Sequence, residues 1–262
     1  MTPERDGKRL IVQPNTFNMY CHREPRFYLT VVWNGQWFKW ENRNTNFLYG
    51  QPDGGPTHDA PQNGYLNRSR VSLDYIPRDN NHPYRPAIIF RMAEAYLSYA
   101  EALNESSERM SHKQEILDNL NKIRHRAGIA EYGTGTDENG FTRIKINFSD
   151  QKEVRRLIHK ERRVEFVGEG VRYHDLRRWK TAHYGIGNLN EQGENPDWGV
   201  NGPDYGMNYY GTEYTDQGDN AFFKRTKYMD RVYPRKFYWY PIHQSEIDKD
   251  PTLVQGPFWL GE

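Results

Sequence analysis

Apolar residues recur at helical spacing between residues 87 and 181, and this stretch constrains the fold more than any other. Ile89, Ala93, Tyr96, Leu97, Ala100 and Leu103 fall at i, i+4, i+7, i+8, i+11 and i+14, which is one face of a helix. Ser111 and Gln114 have the spacing of a capping box for a second helix. Its apolar face is Ile116, Leu117, Leu120 and Ile123, and Gly128 suits its C-terminal end. Ala93, Ala95, Ala100 and Ala102 are small enough for the two helices to pack closely as an antiparallel pair. Asp150 and Glu153 cap a third helix, with Val154, Leu157, Ile158 and Val164 or Glu165 inward. Gly168 and Gly170 interrupt it, and a short fourth helix is predicted from about Tyr173 to Thr181. The pattern predicts a mainly α chain with one visible copy of a helical-hairpin unit.

The flanks differ in character, so three segments of one region are expected, 1–86, 87–181 and 182–262. Phe27 to Trp33 has strand-like residues, and Asn34-Gly35 then leads into Trp37-Phe38-Lys39-Trp40, which predicts a β-hairpin. Gln51 to Gly64 holds three Pro and three Gly and reads as loop. Gly, Asn, Asp and Tyr dominate from Tyr184 to Tyr214, and loops of such length are uncommon unless functional or disordered. An aromatic content of 15% argues against plain disorder.

A net charge of +1 gives no reason to expect bulk attraction to nucleic acid or an anionic membrane. The single cysteine, Cys21, excludes an internal disulfide and a cysteine-based zinc site, and no residues before it resemble a lipoprotein cleavage site. There is no His-Glu-x-x-His, no Gly-x-Ser-x-Gly and no Gly-x-x-x-x-Gly-Lys-Ser/Thr, so no metal, cofactor or catalytic residue is assigned. Asp137-Glu138-Asn139-Gly140 lacks the alternating ligands of a calcium loop and reads as a turn.

Two constellations remain. Glu161, Glu165 and Glu169 are spaced by four and share a helical face, which raises the possibility of a glycoside hydrolase pair. Arg155, Arg156, Arg162, Arg163 and Arg172 surround them in sequence, and guanidinium groups hold carboxylates ionised. The expectation is therefore structural: Glu161, Arg162, Glu165, Glu169, Arg172, Asp175 and Arg177 tie two helices and a glycine turn together. The second constellation is Tyr28, Trp33, Trp37 and Trp40, interleaved with Asn34, Gln36, Asn42 and Asn44. Indole and phenol faces attract the polarised C–H groups of a sugar ring, and the amides suit its hydroxyls, so these aromatics are the candidate ligand platform.

Several segments, in order, resemble the C-terminal part of the SusD/RagB family of Bacteroidetes outer-membrane nutrient-binding lipoproteins. They are Glu24-Pro-Arg-Phe-Tyr28, Arg91-Met-Ala-Glu-Ala-Tyr-Leu-Ser-Tyr-Ala-Glu-Ala-Leu-Asn-Glu105, Leu120-Asn-Lys-Ile-Arg-His-Arg-Ala-Gly128, Ile158-His-Lys-Glu-Arg-Arg-Val-Glu-Phe166, Glu169-Gly-Val-Arg-Tyr-His-Asp-Leu-Arg-Arg-Trp179, Tyr240-Pro-Ile-His-Gln-Ser-Glu246 and Gln255-Gly-Pro-Phe-Trp259. Glu24 stands where the family usually has Asp, and His243 where Pro is common. The resemblance implies a SusD-like fold, in which a helical hairpin of a TPR-like α-superhelix supports long irregular loops and a few short strands. It also implies a fragment whose missing first portion carries the lipid anchor at the cell surface. The implied role is non-enzymatic capture of an oligosaccharide, or in some members a peptide, beside a SusC-like TonB-dependent transporter. Ligand aromatics vary within the family, so the resemblance assigns no binding residue.

Overall fold

The computed structural model describes residues 5–6, 9–10, 12, 14–38, 41–69, 71, 80, 84, 86–185 and 199–260. The chain divides into two compact units, Met1–Gly170 with Met207–Lys224, and Val171–Gly206 with Arg225–Glu262. Their limits do not fall at the composition boundaries near residues 86 and 181.

In the first unit, α2 (Met92–Glu105) and α3 (Lys113–Arg126) pack as a helical hairpin, and α4 (Gln151–Glu165) packs against α2. Ala93, Leu97, Ala100 and Leu103 of α2 are buried with Ile116, Leu120 and Ile123 of α3 and Val154 and Ile158 of α4. These follow the expected periodic faces, but Tyr96 and Leu117 are only half-buried, and Ile89 is 97% exposed and lies before the helix. Asp150 caps α4 by accepting from the backbone N–H groups of Lys152 and Glu153. Gly128 takes φ +64° just past α3, a conformation that costs glycine little. The expected capping box is absent. His112 is the N-cap of α3 but its ring meets the Glu115 carboxylate rather than a backbone N–H, the Ser111 hydroxyl turns back to the Glu108 carbonyl, and Gln114 donates to Asp118.

The expected hairpin around Asn34-Gly35 is replaced by a different arrangement. Pro25 opens a short helix, α1 (Pro25–Thr30), because its fixed φ and missing N–H suit a first helical turn. This overrides the strand propensity of Phe27 to Thr30. The strand that follows, β3 (Val31–Trp33), pairs antiparallel with the distant β6 (Tyr65–Asn67). A second small ladder joins β4 (Trp37–Phe38) to β5 (Arg43–Asn44). Gly35, at φ +89°, makes the turn between the two ladders, where the Gln36 N–H donates to the Trp33 carbonyl over 3.2 Å. A further two-residue pair, β1 (Arg5–Asp6) with β2 (Arg9–Leu10), lies near the start of the chain. An aromatic core forms beside these strands from Tyr20, Tyr28, Val32, Trp33, Phe47, Met207, Phe222 and Phe223.

In the second unit, α5 (Val171–Arg178) contributes Leu176 to a small core with Ala182 and Tyr238. β7 (Gly202–Gly206) pairs antiparallel with β8 (Thr226–Arg231), with a register shift at Asp204/Tyr205. A short helix, α6 (Gln244–Lys249), follows. Among the described residues, no helix is long and apolar enough to cross a membrane.

Candidate functional site

The carboxylates of α4 meet arginines brought from far away in sequence. Arg26, at the start of α1, donates to Glu161 over 2.6 Å and to Glu165 over 3.0 Å, and forks onto Glu24 over 2.9 and 3.1 Å. Arg124 of α3 donates to the other oxygen of Glu161 over 3.0 Å. Arg91 holds Glu169 bidentately over 2.7 and 2.9 Å and also reaches the carboxylate and backbone carbonyl of Glu165. Arg126 completes the ring of donors around Glu165. The side chains of Glu161 and Glu165 are only 4% and 2% exposed, so two carboxylates are neutralised out of water by guanidinium groups of which Arg126 remains more than half exposed.

Burial alone would raise the Glu165 pKa, but the hydrogen bonds from Arg91, Arg126 and Arg26 outweigh it and hold the carboxyl below its usual range. A general acid needs the opposite shift. Glu165 is therefore unsuited to act as the general acid of glycoside hydrolysis, and the burial of Glu161 and Glu165 denies a substrate open approach.

The sequence-predicted charge network differs from this arrangement in its partners. Arg155 pairs with Glu105, and Arg162 turns toward Ser98 and Glu101 of α2 while covering the ring of Phe166. Arg172, Asp175 and Arg177 belong to the second unit. There Asp175 binds Arg178, and Arg177 donates to the Tyr173 and Tyr233 hydroxyls and the Phe237 and Tyr238 carbonyls. The bonds described for Glu161, Glu165 and Glu169 are to Arg26, Arg91, Arg124 and Arg126 of the first unit. Spacing along one helix marks which residues share a face, but it does not show which distant chain segment covers that face.

The aromatic candidates also separate. Trp33 has no exposed surface and Tyr28 only 5%, and Trp33 packs against the rings of Tyr20, Phe27 and Tyr28 at centroid distances of 5.4–5.9 Å. Neither ring presents a face to a ligand, because both fill the aromatic core. Their amide neighbours are structural too, since the buried Asn34 side chain accepts from the Phe47 N–H over 2.7 Å. Trp37 is half-buried in β4 opposite Asn44. Trp40 lies outside the described residues.

A different aromatic surface stands on two loops of the first unit. Tyr49, Tyr209 and Tyr210 form a triad with centroid separations of 6.1, 5.5 and 5.1 Å, and Tyr210 is 69% exposed. The Tyr49 N–H donates to the Gly211 carbonyl over 2.8 Å, which joins the loops. Gly55 permits the close approach: a Cβ there would lie 2.5 Å from the Tyr209 ring. Asn46, Gln51 and Asn208 lie on the same loops, and Asn208 anchors its own loop through the Asp219 and Ala221 carbonyls. A bidentate bond from Arg43 to Asp53, over 2.6 and 2.8 Å, fixes the Asn46–Gly55 turn. The sequence signal for this surface was tyrosine among glycines and amides at Leu48-Tyr49-Gly50 and Asn208-Tyr209-Tyr210-Gly211. Among the described residues, no group of three or more His, Cys, Asp or Glu side chains is placed to hold a metal ion.

Comparison with known proteins agrees with this architecture. A SusD-like protein from Bacteroides fragilis superposes with a TM-score of 0.64 at 27% identity, covering 94% of this chain and 40% of that one. SusD-like protein P25 of Formosa agariphila is 32% identical over 109 residues, which is 42% of this chain and 18% of that protein. SusD-like protein P38 of the same organism is 32% identical over 103 residues, 39% of this chain and 19% of that protein. The chain thus matches well under half the length of each relative. The family model of the SusD family matches residues 5–259, nearly the whole sequence, and the chain belongs to that family.

Proposed function

We propose that this protein captures an oligosaccharide at the cell surface for nutrient uptake, without chemical turnover, in partnership with a SusC-like TonB-dependent transporter. Membership of the SusD family supports the general role. The observation that carries the ligand class is the Tyr49–Tyr209–Tyr210 triad, whose most exposed ring rises from loops bearing Asn46, Gln51 and Asn208. Ring faces match the C–H face of a pyranose and amides match its hydroxyls. A lipid anchor on a preceding segment is part of the same proposal. The hydrolase alternative at Glu161 and Glu165 is disfavoured by their ion pairing, and a peptide ligand is the competing occupant of the platform.

Calorimetric titration with a panel of neutral oligosaccharides, and with a peptide control, tests the reading. Replacing both Tyr209 and Tyr210 by Ala is expected to weaken binding of the recognised glycan about tenfold or more. Tyr210→Ala alone is expected to change stability by less than about 0.5 kcal/mol, because it is a surface substitution. Unchanged affinity in the double variant would rule out the platform, and binding confined to the peptide would rule out an oligosaccharide as the ligand. Trp37→Ala belongs in the same series. A lower affinity at unchanged melting temperature would extend the platform to β4, whereas a lower melting temperature at unchanged affinity assigns Trp37 to packing.

A further inference from the structure

A groove of about 850 Å³ opens along α3 in the first unit, within the size range of small-ligand clefts. One wall is a helical stripe, Gln114, Leu117, Asp118, Asn121, Lys122 and His125, spaced i, i+3, i+4, i+7, i+8 and i+11. It lies opposite the face that buries Ile116, Leu120 and Ile123. The facing wall comes from residues 131–148, and Asn121 fixes it by exchanging two bonds with the Tyr132 backbone over 2.8 and 2.9 Å. Half-buried Leu117 and Ile146 supply apolar lining.

The charges along this groove behave unlike those of the α4 cluster. Lys113, Lys122 and Lys145 line it and make no ion pair with a described residue. The ammonium group of Lys122 sits 4.6 Å from the Tyr96 ring centroid and that of Lys113 sits 5.2 Å from the Phe148 centroid. Such contacts position a cation without neutralising it. By contrast Arg143, also in the lining, is taken by Glu131 over 2.9 Å. Asp118 and Glu138 complete the lining with carboxylates that no described cation pairs.

The geometry points to a second ligand site that takes an acidic saccharide, one bearing carboxylate or sulfate groups. The three lysines receive the anionic substituents, and Asp118 and Glu138 accept from the remaining hydroxyls. An extended peptide is a poorer match. The backbone of the facing wall is already paired, with Gly133 and Ile144 donating to the Ile144 and Glu131 carbonyls over 2.8 Å, so it offers no free edge to an added strand there. The site is separate from the tyrosine platform and does not rest on it.

The test is titration of the 262-residue chain with a galacturonate trisaccharide, a sulfated galactan tetrasaccharide, neutral galactotetraose and a hexaglutamate peptide. Replacing Lys113, Lys122 and Lys145 together by Gln is expected to weaken the acidic sugar about tenfold, and added salt to weaken it in the wild type. Lys145→Glu, a single change at an exposed position, is expected to act in the same direction. Binding of the uronate or of the sulfated sugar identifies which anionic group is used. The inference is overturned if neutral galactotetraose binds as tightly as both acidic sugars, if hexaglutamate binds as well as either, if none binds, or if the triple variant keeps wild-type affinity. Tyr209→Ala with Tyr210→Ala should leave acidic-sugar binding intact, which separates failure of this site from failure of the platform.

Discussion

Replacing Trp33 by Ala should destabilise the protein by about 4 kcal/mol, the usual cost of emptying a large aromatic site in a core. The ring has no exposed surface and is enclosed by Tyr20, Phe27 and Tyr28, with the rest of the aromatic core beyond them. The strand itself is held by bonds that alanine keeps, since the Thr45 hydroxyl donates to the Trp33 carbonyl over 2.6 Å. The loss is therefore of packing rather than of backbone pairing. Trp33→Phe is expected to cost much less, roughly 1 kcal/mol. The indole Nε1 is buried and has no hydrogen-bond partner among the described residues, so phenylalanine removes that donor along with some contact area. Urea denaturation of the two variants checks the pair of values. A change below about 0.5 kcal/mol for Trp33→Ala would mean that the ring is exposed and available to a ligand after all.

Glu165→Ala should cost about 3 kcal/mol, because it leaves Arg26, Arg91 and Arg126 crowded around an empty position. For a chain of this size that lowers the melting temperature by roughly 10 °C. The pH dependence follows from the direction of the pKa shift. Glu165 lies below its ordinary value of 4.5 in the folded protein, so its contribution is fully present above that pH. It is lost as the pH falls from 4.5 through the lowered folded value, because the unfolded chain takes up the proton first. Glu165→Gln should lose stability at neutral pH and show a flatter acid limb than the wild type. An unchanged melting curve would make the cluster a solvated surface.

The helices were legible because burial of one face imposes a period that the sequence must carry. Ala93, Leu97 and Ala100 show it, and Asp150 and Gly128 mark ends by local chemistry. What escaped the sequence was set by distant neighbours. Arg26 reaches Glu161 across 135 positions, and β3 pairs with a strand more than thirty residues on, so neither contact leaves a local pattern. Phe27 to Trp33 read as one strand because aromatic and β-branched residues suit strands, whereas Pro25 and the ion pairs of Arg26 fix its first half as helix. Two of the candidate ligand aromatics, Tyr28 and Trp33, lie in the core for a related reason. Clustering of Trp and Tyr signals a large contact area but not which side faces water, and Trp33 turned inward while Tyr210, in a glycine-rich loop, turned outward.

On our proposal a charge cluster holds the helices of this protein and a tyrosine surface holds its ligand. Titration of one recognised neutral oligosaccharide into Glu165→Gln and into the Tyr209→Ala, Tyr210→Ala double variant, at a temperature where both are folded, tests it most directly. The account predicts wild-type affinity for the less stable Glu165→Gln protein and a loss of about tenfold for the tyrosine variant. Intact affinity in the tyrosine variant, together with glycan cleavage or binding that disappears in Glu165→Gln, would contradict it.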